Sequence, residues 1–133
     1  MDHAIFAFAA LLVVGIARAG QGDSKAERGV AGVPPGVVDG PTARRLVEAG
    51  IKVIDVRTPA EFNAGHVPGA INIPYDQMPV RHSEIGPSST PVLLYCRSGH
   101  RSGIAAGTLR ASGFPTIYDM QAYDRWVASE PRR

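Results

Sequence analysis

The chain has 133 residues, enough for one domain and too few for two. Its 14 Lys and Arg against 12 Asp and Glu leave a formal +2, and no basic run or aromatic stripe accompanies it, which argues against nucleic-acid binding. A single cysteine excludes an internal disulfide, and no Cys/His cluster has zinc spacing, so no metal and no cofactor is expected.

Ala4 to Ile16 is an apolar run without a charge, too short to span a bilayer as a helix. Ala17-Arg18-Ala19 after it has the small-x-small form of a cleavage site. Residues 1–19 therefore read as a secretory signal peptide, although Met1-Asp2-His3 lacks the usual positive charge. The expected location is periplasmic or secreted, with no membrane contact after cleavage. An unpaired cysteine is unusual in an oxidising compartment and suggests a thiol kept for its chemistry.

Residues 20–33 hold glycines and charges without periodicity and read as a flexible lead-in to a domain over 34–133. Val37-Val38 suits a short first strand. Pro41, Ala43, Leu46, Val47 and Gly50 give a helix with proline in its first turn and glycine past its end. Ile51 to Val56 is a strand of β-branched residues. Thr58-Pro59-x-Glu61 is a capping box opening a short helix that stops near Gly65. Ala70 to Ile73 is a short strand closed by Pro74, and Gln77 to Ile85 suits a helix with Pro79 near its start.

Pro91 to Tyr95 is an unbroken apolar run, the mark of a buried strand. The next helix is expected over 102–112, with small residues Ala105, Ala106 and Gly107 toward the sheet and Gly113 past its end. Thr116 to Tyr118 is a last short strand. Tyr123, Trp126 and Val127 mark a final helix. Strands alternating with helices give an α/β fold with a parallel sheet covered on both faces.

The lone cysteine, Cys96, lies between a strand and a helix start, in Cys96-Arg97-Ser98-Gly99-His100-Arg101-Ser102. Open α/β sheets place ligands there, and helix N-termini favour anions. A lone cysteine is ordinarily a small buried hydrophobe. Arg97, Arg101 and Gly99 are what an inert cysteine would not need, and a positive setting favours the nucleophilic thiolate. Gly99 permits a tight backbone turn around the sulfur.

Val92-Leu93-Leu94-Tyr95-Cys96-Arg97-Ser98-Gly99-x-Arg101-Ser102 resembles the active-site loop of rhodanese-domain sulfurtransferases. Ile54-Asp55-Val56-Arg57-x-x-x-Glu61-Phe62-x-x-Gly65-His66-Val67-x-Gly69-Ala70-Ile71-Asn72-Ile73-Pro74 resembles that family's other signature. The likeness covers roughly Pro34 to Glu130. It implies a three-layer domain, a five-stranded parallel sheet flanked by helices on both faces. It implies a persulfide reaction on Cys96, with thiosulfate or another sulfur donor and a thiol or cyanide acceptor. A thioredoxin-like protein is a candidate reductant. Arg97, Ser98, Gly99, His100, Arg101 and Ser102 would bind substrate, the two arginines at the sulfonate end.

His100 reads more readily as a solvent-facing position than as an acid. Asp55 and Arg57 read as support for the site through an ion pair, with Arg57 the nearer to the pocket. Glu61 reads as a cap and His66 as a turn anchor. The chain departs from the family pattern in one place: Gln121-Ala122 stand where a Gly-Gly pair usually precedes the tryptophan. Two other readings stay open, a phosphatase or arsenate reductase of related fold and a non-catalytic anion- or partner-binding module. The six-residue span from Cys96 to Arg101 argues against the first, because tetrahedral oxyanions need a wider ring of N–H donors. The intact Cys96, Arg97 and Arg101 argue against the second.

The signal reading predicts a mature N-terminus at Gly20. N-terminal sequencing of protein recovered from an exporting host checks this, and soluble protein that keeps Met1 would contradict it.

Overall fold

The apolar runs fold as strands of one sheet. The structure, a computed structural model, describes residues 29–132, so the expected signal at 1–19 lies outside the described residues, as does the lead-in up to 28. In chain order the elements are β1 (Gly36–Val37), α1 (Gly40–Glu48), β2 (Lys52–Asp55), α2 (Pro59–Ala64), β3 (Ile71–Asn72), α3 (Met78–Arg81), β4 (Val92–Cys96), α4 (His100–Ala111), β5 (Ile117–Ala122) and α5 (Tyr123–Ala128). Single 3-10 turns, Tyr75–Gln77 and His82–Glu84, flank α3.

All pairings are parallel, in the order β1-β5-β4-β2-β3. All five residues of β4 are buried, as a central parallel strand requires. Side chains alternate between two cores. On one face Ala43 and Leu46 of α1 and Trp126 of α5 cover Leu93, Tyr95, Tyr118 and Met120. On the other Met78 of α3 and Ala105, Ala106 and Leu109 of α4 cover Ile54, Leu94, Cys96 and Ile117. The expected three layers are present.

Local chemistry sets the helix ends. Asp39 caps α1 by accepting the Thr42 N–H at 2.8 Å, and Gly50, with φ +88°, follows the helix. The Thr58–Glu61 capping box is complete at α2. Several expected boundaries move. β4 extends to Cys96, and α4 begins at His100 instead of 102. The reason is Gly99, whose left-handed φ of +103° turns the chain from strand into helix in three residues. β5 runs on to Ala122, past the expected end at Tyr118, because its later residues still pair with Tyr95 and Cys96.

Gly107 and Val127 are exposed and do not join the core. Residues 29–33, expected within the lead-in, form a turn against the sheet. Tyr118 Oη accepts the Val30 N–H at 2.6 Å and donates to the Val33 carbonyl at 2.6 Å. A glycine-rich turn carries no periodicity, which is why the sequence hid it.

The centre of the sheet carries one buried polar cluster. Tyr95 Oη donates to Asp55 Oδ2 at 2.6 Å and accepts the Val67 N–H at 3.0 Å. Tyr95→Phe would leave a buried N–H unpaired and a buried carboxylate short of a donor. Each loss costs about 1–3 kcal/mol, so a drop of about 2–6 kcal/mol in unfolding free energy is expected. Urea unfolding of the two proteins measures it, and equal midpoints would show that Tyr95 contributes only through its ring.

Candidate active site

Neighbouring strands β2 and β4 lead away to opposite edges of the sheet, β2 toward β3 and β4 toward β5. The crevice at such a reversal opens at the carboxyl ends of the two strands. Asp55 ends β2 and Cys96 ends β4.

Asp55 is fully buried, and Arg57 turns back onto it. Arg57 Nε lies 3.0 and 3.1 Å from the two carboxylate oxygens, and one terminal nitrogen lies 2.6 Å from Oδ2. The same guanidinium donates to the Gly65 carbonyl at 2.6 Å, and the Arg57 N–H donates to Asp55 Oδ1 at 2.9 Å. The Tyr123 ring covers it, with the guanidinium carbon 4.6 Å from the ring centre. Burial first, and then Asp55, pushes the Tyr95 phenol above its ordinary pKa, so it stays a donor to the carboxylate. Arg57, expected near the pocket, is only 6% exposed and consumed by this cluster.

Cys96 has no exposed surface, and Sγ accepts the Gly99 N–H at 2.9 Å. The strand's end fixes the sulfur, and the Gly99 turn aims an amide at it. Ser102, on the first turn of α4, is buried and donates to the Gly99 carbonyl at 3.1 Å, bracing the same residue. Arg97, Ser98 and His100 are exposed. The Arg97 guanidinium makes no hydrogen bond or ion pair among the described residues, so it is free to meet an anion.

Arg101, expected to bind substrate, already has a protein partner. Its guanidinium grips Glu61 with two bonds, at 2.7 and 3.0 Å. This pair ties the start of α4 to the first turn of α2. Glu61 thus closes its own helix and anchors the cysteine loop. The Arg101 hydrogen bond, chiefly, holds the Glu61 carboxyl at about 2. His66 stays outside the chemistry: its ring stacks on Phe62 at 3.8 Å and Nδ1 lies 2.9 Å from the Phe62 carbonyl.

Asp119, which sequence reasoning did not single out, joins Gln121, which it noted only as a departure from a Gly-Gly pair. Asp119 pairs in register with Leu94, on the α4 face of the sheet, and is nearly buried. Its Oδ1 accepts the Gln121 N–H at 2.8 Å. Burial pushes its carboxyl pKa up, while Ser102, the Gln121 N–H, Arg125 and Arg110 pull it down. The signal was available: an acidic residue between apolar Tyr118 and Met120, in a strand covered on both faces. Gln121 adopts a left-handed φ of +70° where the register slips between Leu94 and Tyr95.

A cavity of about 260 Å³ lies elsewhere, lined by Ala49, Gly50, Ile51, Lys52, Thr90 and Pro91. These residues flank the N-terminal ends of β2 and β4, the wrong end of the sheet for Cys96.

The fold has known counterparts. The family model described as rhodanese-like domain matches residues 41–129. An uncharacterised protein of Bacillus subtilis is 46% identical over 76 residues, covering 56% of this chain and 60% of its own. Thiosulfate sulfurtransferase 16, chloroplastic, of Arabidopsis thaliana is 35% identical over 106 residues, covering 70% of this chain and 88% of its own. A solved structure described as rhodanese with anions from E. coli superposes with a TM-score of 0.55 at 30% identity, covering 57% of this chain and 91% of that one. For several curated relatives the match spans only 55–65% of the relative's own length.

The Glu61–Arg101 brace has a calculable pH dependence. Glu61 is held below its ordinary 4.5, so its contribution is complete above that value and fades as pH falls toward about 2. Glu61→Gln lacks the ion pair at every pH. The gap in melting temperature between the two proteins should be widest near neutrality and close between pH 4.5 and 2. A gap that ignores pH would mean that the carboxylate charge is irrelevant.

Proposed function

The chain belongs to the rhodanese-like domain family, and on that premise we propose that it is a sulfurtransferase that moves the sulfane sulfur of thiosulfate to a thiol or cyanide through a persulfide on Cys96. The observation that carries this reading is the sulfur itself, fixed at a central strand's end under the Gly99 amide with the free Arg97 guanidinium in the same loop. A relative named as a thiosulfate sulfurtransferase supports the choice of donor. Export after Ala19 belongs to the same reading.

The Cys96 thiolate attacks the outer sulfur of thiosulfate. The S–S bond of thiosulfate breaks, sulfite leaves as the dianion, and Cys96 keeps the outer sulfur as Cys–S–S⁻. In the second step cyanide or a thiolate attacks that terminal sulfur. Cys96 departs as thiolate, and thiocyanate or a new persulfide is released. Neither step needs an oxidant or reductant beyond donor and acceptor. Such covalent catalysis gives ping-pong kinetics.

An N–H aimed at the sulfur stabilises negative charge on it in each thiolate state. Arg97, exposed and uncommitted, suits the sulfonate and the departing sulfite. Arg101, held by Glu61, supports the loop and adds its charge at longer range. The two arginines therefore take different roles.

Intact-protein mass spectrometry after thiosulfate is the test. Wild type should gain one sulfur atom and lose it to cyanide, and Cys96→Ser should gain nothing. Arg97→Ala should slow persulfide formation by about 10- to 150-fold, the kinetic equivalent of one charge-assisted hydrogen bond, and spare the cyanide step. Cys96-dependent hydrolysis of p-nitrophenyl phosphate without persulfide formation would replace this reading with phosphate chemistry.

A further inference from the structure

Cys96 has no exposed surface, yet its sulfur must meet two substrates in turn. Something at the rim of its pocket controls entry. Cys96 pairs in register with Ala122, and Gln121, the residue before Ala122 on β5, pairs with Tyr95. A methyl group added at Gly99 would lie 3.0 Å from Gln121 Cβ and 3.5 Å from its Cγ. The Gln121 side chain therefore occupies the space over Gly99, the residue whose N–H holds the sulfur, that a side chain there would take.

This placement is unusual for a glutamine. A left-handed φ of +70° is uncommon for any side chain but glycine, and it persists only where the surroundings impose it. Here Asp119 imposes it by accepting the Gln121 N–H, at the point where the β4–β5 register slips. The Gln121 carboxamide itself makes no hydrogen bond among the described residues. It is half-buried, an uncommitted polar group over the Cys96 loop.

We propose that Gln121 is a specificity-determining residue of the Cys96 site, its strained backbone holding the side chain over Gly99 so that slender reagents reach the sulfur and bulky ones do not. The proposal rests on the reading of Cys96 as the nucleophile. In sulfur transfer it favours cyanide and small unbranched thiols as acceptors over a peptide thiol such as glutathione. Asp119 acts through Gln121 and is a positioning residue.

Alkylation rates test this without sulfur chemistry. Iodoacetamide is slender and N-ethylmaleimide is bulky, and Cys96 is the only thiol in the chain. In Gln121→Gly the maleimide rate should rise about 10-fold relative to the iodoacetamide rate, equivalent to about 1.4 kcal/mol of barrier. Gln121→Ala, which keeps the β-carbon but not the carboxamide, should fall between. The ratio of glutathione to cyanide turnover should move the same way. Thermal melting confirms that each variant is folded, and relief of the left-handed residue should leave Gln121→Gly at least as stable as wild type.

An unchanged reagent ratio in both variants would overturn the proposal. The two readings fail separately. Alkylation selectivity survives in a protein that never forms a persulfide, and persulfide formation with unaltered selectivity rejects only the role of Gln121.

Discussion

The buried ion pair of Asp55 and Arg57 is the constraint on which the rest of the domain depends. A buried carboxylate loses its hydration, and only close, complete hydrogen bonding offsets that cost. Asp55 obtains it from the Arg57 guanidinium, the Arg57 N–H and the Tyr95 hydroxyl. These donors come from just past the end of β2 and from the C-terminal end of β4. The same guanidinium reaches the Gly65 carbonyl, and the same hydroxyl receives the Val67 N–H. One carboxylate thus joins two central strands to the connection that leads into β3. Relative movement of any of these elements would leave charge unpaired in the interior.

That rigidity positions the sulfur. Tyr95 belongs to the cluster, and the next residue is Cys96. The side chains alternate, so locking the Tyr95 ring on one face fixes Cys96 toward α4 on the other. Gly99 then turns the chain, and the Glu61–Arg101 pair ties the start of α4 across to α2. The sulfur is held from behind by the sheet and from the side by the helix. Arg97 is left exposed and without an ion pair among the described residues, which suits a group that must grip an incoming anion and release a departing one.

Strain is concentrated on the opposite wall. The β4–β5 register slips after Leu94, Gln121 takes a left-handed conformation, and Asp119 holds it there from a nearly buried position. A carboxylate in that setting favours its protonated form more than a free one does. A backbone conformation that costs about 1–3 kcal/mol and a desolvated carboxylate are tolerated together, beside the nucleophile. Together they place the Gln121 side chain in the space over Gly99.

The sequence by itself determined the alternation of strands and helices, the parallel sheet and the layer order, because each rests on local patterns. The Thr58–Glu61 box, the Gly50 and Gly113 stops and the apolar β4 run are legible within a few residues. Cys96 was legible too, since a strand end, a glycine and two arginines fall within one short stretch. Tertiary structure alone decided how the charges divide. Arg97 and Arg101 look equivalent in the chain, yet Glu61, forty residues upstream of Arg101, claims only the second. Asp119 is one acidic residue in a short run until the sheet buries it beside Ser102. Gln121 stood out in the sequence only as a departure from a Gly-Gly pair, and its left-handed turn comes from the Asp119 hydrogen bond and the register slip against β4. Contacts between residues far apart in sequence carry no periodicity, and the walls and entrance of this site are made of such contacts.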